Sequence, residues 1–292
     1  DCRDEEPGTR LFTEPRVDAG RNSCLPANAP DAAESAADAD MMRAMGHAKW
    51  RLMTKSEALI QGFRDKICGT HETCIRLLTE VAGDRASFHS LNVTVISMLL
   101  GKAVGLTSEE LQDLGLGALL HDIGKIDLPD RVRWKDEHFT LAELQFYQEH
   151  VAHGVSIARK MQLSPTAALV IGQHHEHADG SGFPLRLAGE RILVAARIVA
   201  LVNRYDNLCN PQNPAKAMTP HEALSLMFAQ MKSRFDGTIL SAFIKMMGVY
   251  PPGSIVQLTD DRYAMVVSVN AARPLKPRVI VHDPRVPRDE AL

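Results

Sequence analysis

The sequence predicts an all-α domain with a small β annex at its C-terminal end. Three observations carry that prediction: helical spacing of apolar residues from residue 41 to about 248, four helix starts with readable capping chemistry, and a change of character after Tyr250-Pro251-Pro252-Gly253. Residues 1–40 are rich in Ala, Asp, Pro, Gly and Ser and poor in aromatic and β-branched side chains. Such a segment buries too little surface to offset chain entropy, so a linker or arm is expected there. Residues 41–84 carry Leu52, Leu59, Phe63, Ile67, Leu77 and Leu78 near helical spacing and read as lead-in helices. Further starts are marked by Thr107 with Glu110, Thr140 with Glu143, Ser164 before Pro165, and Thr219 with Pro220 and Glu222. In each, a hydroxyl can satisfy backbone donors that the first helical turn leaves open. No alternating apolar–polar run interrupts residues 85–248, which are expected to form one helical domain. Over residues 249–292, the segments 254–259, 263–269 and 278–282 read as short strands separated by Asp- or Pro-rich breaks.

Composition excludes several functions. The 292-residue chain is 45% hydrophobic, enough for a sizeable core, and its net charge of -3 offers no broad basic field. Long DNA or RNA is therefore not an expected partner. Five cysteines are scattered without a CxxC pair, as in a reducing compartment. The apolar stretch 192–202 is broken by Arg197 and too short to cross a bilayer. A cytoplasmic protein without a membrane span is the expectation. The chain opens on Asp1, which leaves room for a preceding sensor or receiver domain and for signalling proteins as partners.

Seven of the twelve histidines fall between His121 and His177; an even spread would place about two there. A single histidine is more often a hydrogen-bonded core residue than a ligand, so position decides. His89 lies on a helix apolar almost all round, with Val93, Ile96 and Leu100 on one side and Phe88, Leu91, Val95 and Leu99 on the other. His121-Asp122 ends an apolar helix containing Leu111, Leu114, Ala118 and Leu119, and Ile123-Gly124-Lys125 follows. His150 sits on the helix opened by Thr140, and His174-His175 continue the stripe of Ala167, Ala168, Leu169 and Ile171. Buried imidazoles need strong partners. Five of them with one carboxylate exceed what hydrogen bonding would satisfy, and a metal centre accounts for them. Imidazole with a bridging carboxylate suits iron, manganese or zinc, not an oxygen cage for calcium or magnesium.

The blocks His121-Asp122-Ile123-Gly124-Lys125, Leu128-Pro129-Asp130, His150 with Gly154, His174-His175-Glu176 and Asp179-Gly180-Ser181-Gly182-Phe183-Pro184, in this order, resemble the HD-GYP family over roughly residues 85–248. The resemblance implies an HD-domain helical bundle that hydrolyses the bacterial second messenger cyclic di-GMP, to linear pGpG or GMP, with two divalent ions. It further implies that His89, His121, Asp122, His150, His174, His175 and the position of Asn203 hold the metals, with Asp122 bridging. Lys125 would stand beside the scissile phosphate, and Gly182, Phe183, Pro184 and Lys216 would face the substrate. The chemistry is coherent: two ions acidify a bridging water, its hydroxide attacks phosphorus, and Lys125 helps stabilise the charge that develops.

Four positions depart from the family pattern. Arg85 stands where members with a third metal carry Glu, so two ions are implied and not three. Phe183 replaces the tyrosine of the motif's name, keeping the ring and losing the hydroxyl. Asn203 replaces an aspartate ligand, leaving a neutral carbonyl oxygen and one negative charge fewer. In Asn213-Pro214-Ala215-Lys216 only Lys216 remains of a basic segment, and Arg186, Arg191 and Arg204 are the nearby candidates to replace the lost contact. These departures keep two alternatives open: a catalytically degenerate signalling module that binds metal or nucleotide, and an HD hydrolase of another nucleotide.

Overall fold

In the computed structural model, which describes residues 47–69, 85–133, 139–269, 276–283 and 285, each of the four capped starts opens a helix. The expected arm over 1–40, the stretch around Leu77 and Leu78, and His71 and His138 lie outside the described residues. The helices are α1 (His47–Cys68), α2 (Arg85–Ala103), α3 (Ser108–Leu119), α4 (Asp130–Arg133), α5 (Leu141–Lys160), α6 (Pro165–Gln173), α7 (Val194–Cys209), α8 (Pro220–Gln230) and α9 (Gly237–Met247). Thr107, Thr140 and Thr219 each close a reciprocal capping box, with Glu110, Glu143 and Glu222 respectively. Ser164 caps α6 by accepting from the Ala167 amide at 3.0 Å. Asp236 caps α9 and receives the Arg197 guanidinium at 3.0 Å, which ties α9 to α7.

α7 is the central helix. Along it Ile198, Val199, Leu201, Val202 and Tyr205 are fully buried, against Val93, Ile96 and Leu100 of α2, Leu111 and Leu114 of α3 and Phe243 of α9. Burying one such side chain contributes about 1.5–3 kcal/mol, so this interface dominates the fold's stability. A second cluster seats α1 on the bundle through Ile60 and Ile67, packed with Met98, Leu116 and Ala167. Ile192 ends a 3-10 turn just before α7 and is buried there.

The annex is a three-stranded antiparallel sheet, β1 (Ile255–Gln257), β2 (Tyr263–Ser268) and β3 (Arg278–Val281), in sequence order. Ile255 pairs with Met265, and Met265 with Ile280. β1 is shorter than the sequence predicts because the chain already turns at Leu258, whose amide donates to the Arg262 carbonyl, with Asp261 in the left-handed region (φ 67). Among the described residues no helix is long and apolar enough to cross a membrane.

Candidate metal centre

Four elements deliver the histidines. His89 comes from α2, His121 and Asp122 from the end of α3, His150 from the middle of α5, and His174 and His175 from the end of α6. Two close backbone approaches hold these elements together. A Cβ on Gly124 would strike the His150 carbonyl oxygen and the Gly154 amide, so only glycine lets the 3-10 turn Ile123–Asp127 lie against α5. A Cβ on Gly182 would strike the His175 carbonyl and the His177 amide, so glycine brings the 180–184 loop against the ligand pair.

Imidazole orientation follows from local hydrogen bonds. The Nδ1 atoms of His121 and His174 lie 2.7 and 2.8 Å from the carbonyls of Ala118 and Ile171, three residues back. The Nδ1 of His150 meets the Tyr147 carbonyl in the same manner. A carbonyl only accepts, so each Nδ1 carries the proton and each Nε2 presents its lone pair to the centre. His89 is set likewise, by the Asp206 carboxylate 2.6 Å from its Nδ1.

Asp122 stands between two groups of lone pairs. Its Oδ2 lies 3.4 Å from His121 Nε2 and 3.9 Å from His89 Nε2, while its Oδ1 lies 3.6 Å from His150 Nε2 and 3.7 Å from His174 Nε2. His89, His121 and Asp122 can hold one ion, and Asp122, His150, His174 and His175 another. Two further facts fit these residues to metal. The Nε2 atoms of His150, His174 and His175 and Oδ1 of Asp122 are buried without a hydrogen-bond partner, a penalty that native cores avoid. His89 and His121 also face one another Nε2 to Nε2 at 3.2 Å, with both Nδ1 protons committed elsewhere. Two lone pairs repel at that distance, yet imidazoles bound to one ion at about 2.0–2.1 Å stand roughly 3.0–3.4 Å apart.

Electrostatics prepare the donors. Burial, reinforced by neighbouring imidazoles, pushes His121 down, His150 to about 3 and His175 well below the usual range, so they remain neutral ligands. Burial alone would raise Asp122, but Lys125 and His121 outweigh it and hold the carboxyl well below its ordinary value. Lys125 Nζ lies 2.5 Å from Asp122 Oδ2 and 5.4 Å from the centre of the Tyr147 ring. Burial opposes its charge, yet the Asp122 carboxylate keeps it above the ordinary lysine range.

The other expected site residues fall in different places. Phe183 stacks on His175, with ring centres 4.4 Å apart, and Pro184 follows in the same loop. Asn203 is buried on α7, where its Oδ1 accepts from Asn207 Nδ2 at 2.6 Å. Lys216 is exposed in the 3-10 turn Pro214–Lys216 between α7 and α8. His153 faces Glu149 at 3.9 Å and His177 the Ser181 hydroxyl at 2.9 Å.

Sequence reasoning missed the supports. Asp206 holds His89 and is itself held by the amides of Asn92 (3.1 Å) and Asn210 (2.9 Å). Glu176 accepts from the amides of Leu185 and Leu187 at 2.7 and 2.9 Å, anchoring the loop after Phe183. An acidic residue on a helix whose other positions are mainly apolar was the available signal for Asp206, because a buried carboxylate must have partners.

A model of the HD domain family matches residues 72–239. The chain belongs to the HD domain family. Among curated relatives, the cyclic di-GMP phosphodiesterase PA4108 of Pseudomonas aeruginosa is 32% identical over 66% of this chain and 47% of its own length. The cyclic di-GMP phosphodiesterase PdeB of Borreliella burgdorferi is 26% identical over 65% of this chain and 50% of its own. The 3'3'-cGAMP-specific phosphodiesterase 3 of Vibrio cholerae is 29% identical over 56% and 35%. The chain thus spans about half the length of the first two relatives and a third of the last. The HD domain here follows the HD-GYP pattern, with Phe183 in place of the tyrosine.

Proposed function

We propose that residues 85–248 form a metal-dependent phosphodiesterase that hydrolyses a cyclic dinucleotide, cyclic di-GMP foremost, to linear pGpG or GMP. The observation that carries this reading is the placement of Asp122, one oxygen toward His89 and His121 and the other toward His150 and His174. Two divalent ions, of iron or manganese before zinc, suit these donors, and when bound they supply Lewis acidity toward phosphate oxygens and acidify water. The chain's residues do the rest. Asp122 and the Nδ1–H donors fix the lone pairs before substrate arrives, so no reorganisation is needed during reaction. Lys125, held charged by Asp122, offers an ammonium to the phosphoryl oxygens. The reaction adds one water across a P–O bond; the 3′ oxygen leaves with a proton, and the linear product keeps a 5′ phosphate.

A second reading, a metal- or nucleotide-binding signalling module with little turnover, draws on Asn203, whose carbonyl oxygen is engaged by Asn207 in place of a charged ligand. One comparison separates the two readings: turnover of cyclic di-GMP by iron- or manganese-loaded protein under reducing conditions, native beside Asn203→Asp. The hydrolase reading expects linear product from the native chain and at least about tenfold more from the variant, since a carboxylate binds a cation more strongly than an amide does. Undiminished cyclic di-GMP with a full metal complement would overturn it.

A further inference from the structure

Arg186 has an unusual setting. Its backbone is in the left-handed region at φ 52, a conformation that is strained for a non-glycine residue. The conformation is imposed from both sides. Glu176, only 2% exposed, accepts the amides of Leu185 and Leu187, so the residues flanking Arg186 are pinned to one buried carboxylate. Glycine would adopt this geometry without strain. An arginine kept there turns its side chain outward at a fixed point, and the strain calls for a role.

The surroundings indicate which role. Arg186 lines a cavity of about 290 Å³ together with Gln148 of α5, Gly180, Ser181, Gly182, Phe183 and Pro184. Phe183 is also the ring that stacks on His175, so the cavity adjoins the metal centre through one side chain. Its walls combine flat apolar groups, Phe183 and Pro184, with two planar polar ones, the Arg186 guanidinium and the Gln148 carboxamide. Neither polar group has a hydrogen-bond or ion-pair partner among the described residues. The lining is mainly polar, and an aromatic face beside convergent donors and acceptors suits a heterocyclic base, which carries both a flat π face and a hydrogen-bonding edge.

We propose that this cavity receives one base of the cyclic dinucleotide and that Arg186 makes it specific for guanine. The proposal rests on the phosphodiesterase reading above and adds the residue that sets base preference. A guanidinium fork donates to the paired acceptors O6 and N7 of guanine; adenine puts its N6 amino group where O6 would be, leaving two donors face to face. Gln148, with both an acceptor and donors, completes the polar edge of the cavity and tolerates either base.

The test compares equilibrium binding and turnover of cyclic di-GMP and cyclic di-AMP by the native chain, Arg186→Gly and Arg186→Lys, all metal-loaded. The native chain is expected to prefer cyclic di-GMP at least tenfold. Arg186→Gly removes the backbone strain, so its melting temperature should equal or exceed the native value while the preference falls to near unity through weaker cyclic di-GMP binding. Arg186→Lys keeps the charge but loses the fork, and should lose the preference as well. A lysine variant that discriminates like the native chain would overturn the proposal. So would equal losses for both dinucleotides with a steep salt dependence, which would place Arg186 on a phosphate. If the native chain binds and turns over neither dinucleotide, both this proposal and the phosphodiesterase reading fall; native turnover with an unchanged glycine variant removes this proposal alone.

Discussion

Asp206 shows how much of the centre depends on proton placement. Its Oδ1 accepts from Asn92 and Asn210, at 3.1 and 2.9 Å, and its Oδ2 lies 2.6 Å from His89 Nδ1. In Asp206→Asn the two amide donors retain the carbonyl oxygen on their side, and the new amino group then faces His89. His89 must accept at Nδ1, so its remaining proton moves to Nε2, where a ligand needs a lone pair. The expected outcome is a loss of about 10–100-fold in affinity for the ion held by His89, His121 and Asp122, with folding retained. Metal titration followed by thermal melting measures both, and native metal affinity in the variant would show that Asp206 does not set the tautomer. The candidate ligands were legible in the sequence as histidines on apolar stripes, and the structure brings them together. Asp206 was not, because its partner lies 117 positions away and only the fold brings the two together.

Helix starts were legible to the residue, since Thr-x-x-Glu states its own hydrogen bonds: Thr140 and Glu143 exchange theirs at 3.0 and 3.2 Å as the spacing implies. How the elements approach one another was less legible, because close contact is a property of two backbones and the sequence displays only one at a time. Gly124 is the sharpest case. The sequence marks it only as one member of the block His121–Lys125, yet it lets the turn carrying Asp122 and Lys125 touch the turn of α5 that carries His150. In Gly124→Ala the added methyl meets backbone atoms, which cannot rotate away as side chains can. The turn and α5 must separate, and overpacking of this sort costs about 1–3 kcal/mol. Because His150 rides on the displaced backbone, metal content should fall together with stability. Denaturant midpoint and metal stoichiometry, measured on one preparation, test this; native values for both would show that the approach is not tight.

Taken as a whole, the molecule builds a stable apolar body around α7 and places an electrostatically unfinished cluster at its edge. The body was foreseeable from apolar spacing, and the sheet from the composition after Gly253, but the relation between body and cluster was not. His89, His121, His150 and His174 converge from helices that pack for their own apolar reasons, and the packing leaves four buried donor atoms without partners. A fold that binds metal at such a cluster is less stable without it than with it. An ion that binds only the folded chain adds RT ln(1 + [L]/Kd), about 2.7 kcal/mol at a hundred times Kd. For a chain of this length that corresponds to roughly 5–10 °C in Tm. Chelator-treated protein should therefore melt lower by about that interval and recover on adding manganese or ferrous iron. The two ligand groups share only Asp122, so His89→Ala should lose part of the recovery and Asp122→Ala nearly all of it. A chelated protein that melts with the native one, or an Asp122→Ala variant that recovers fully, would mean that the histidine cluster does not hold metal.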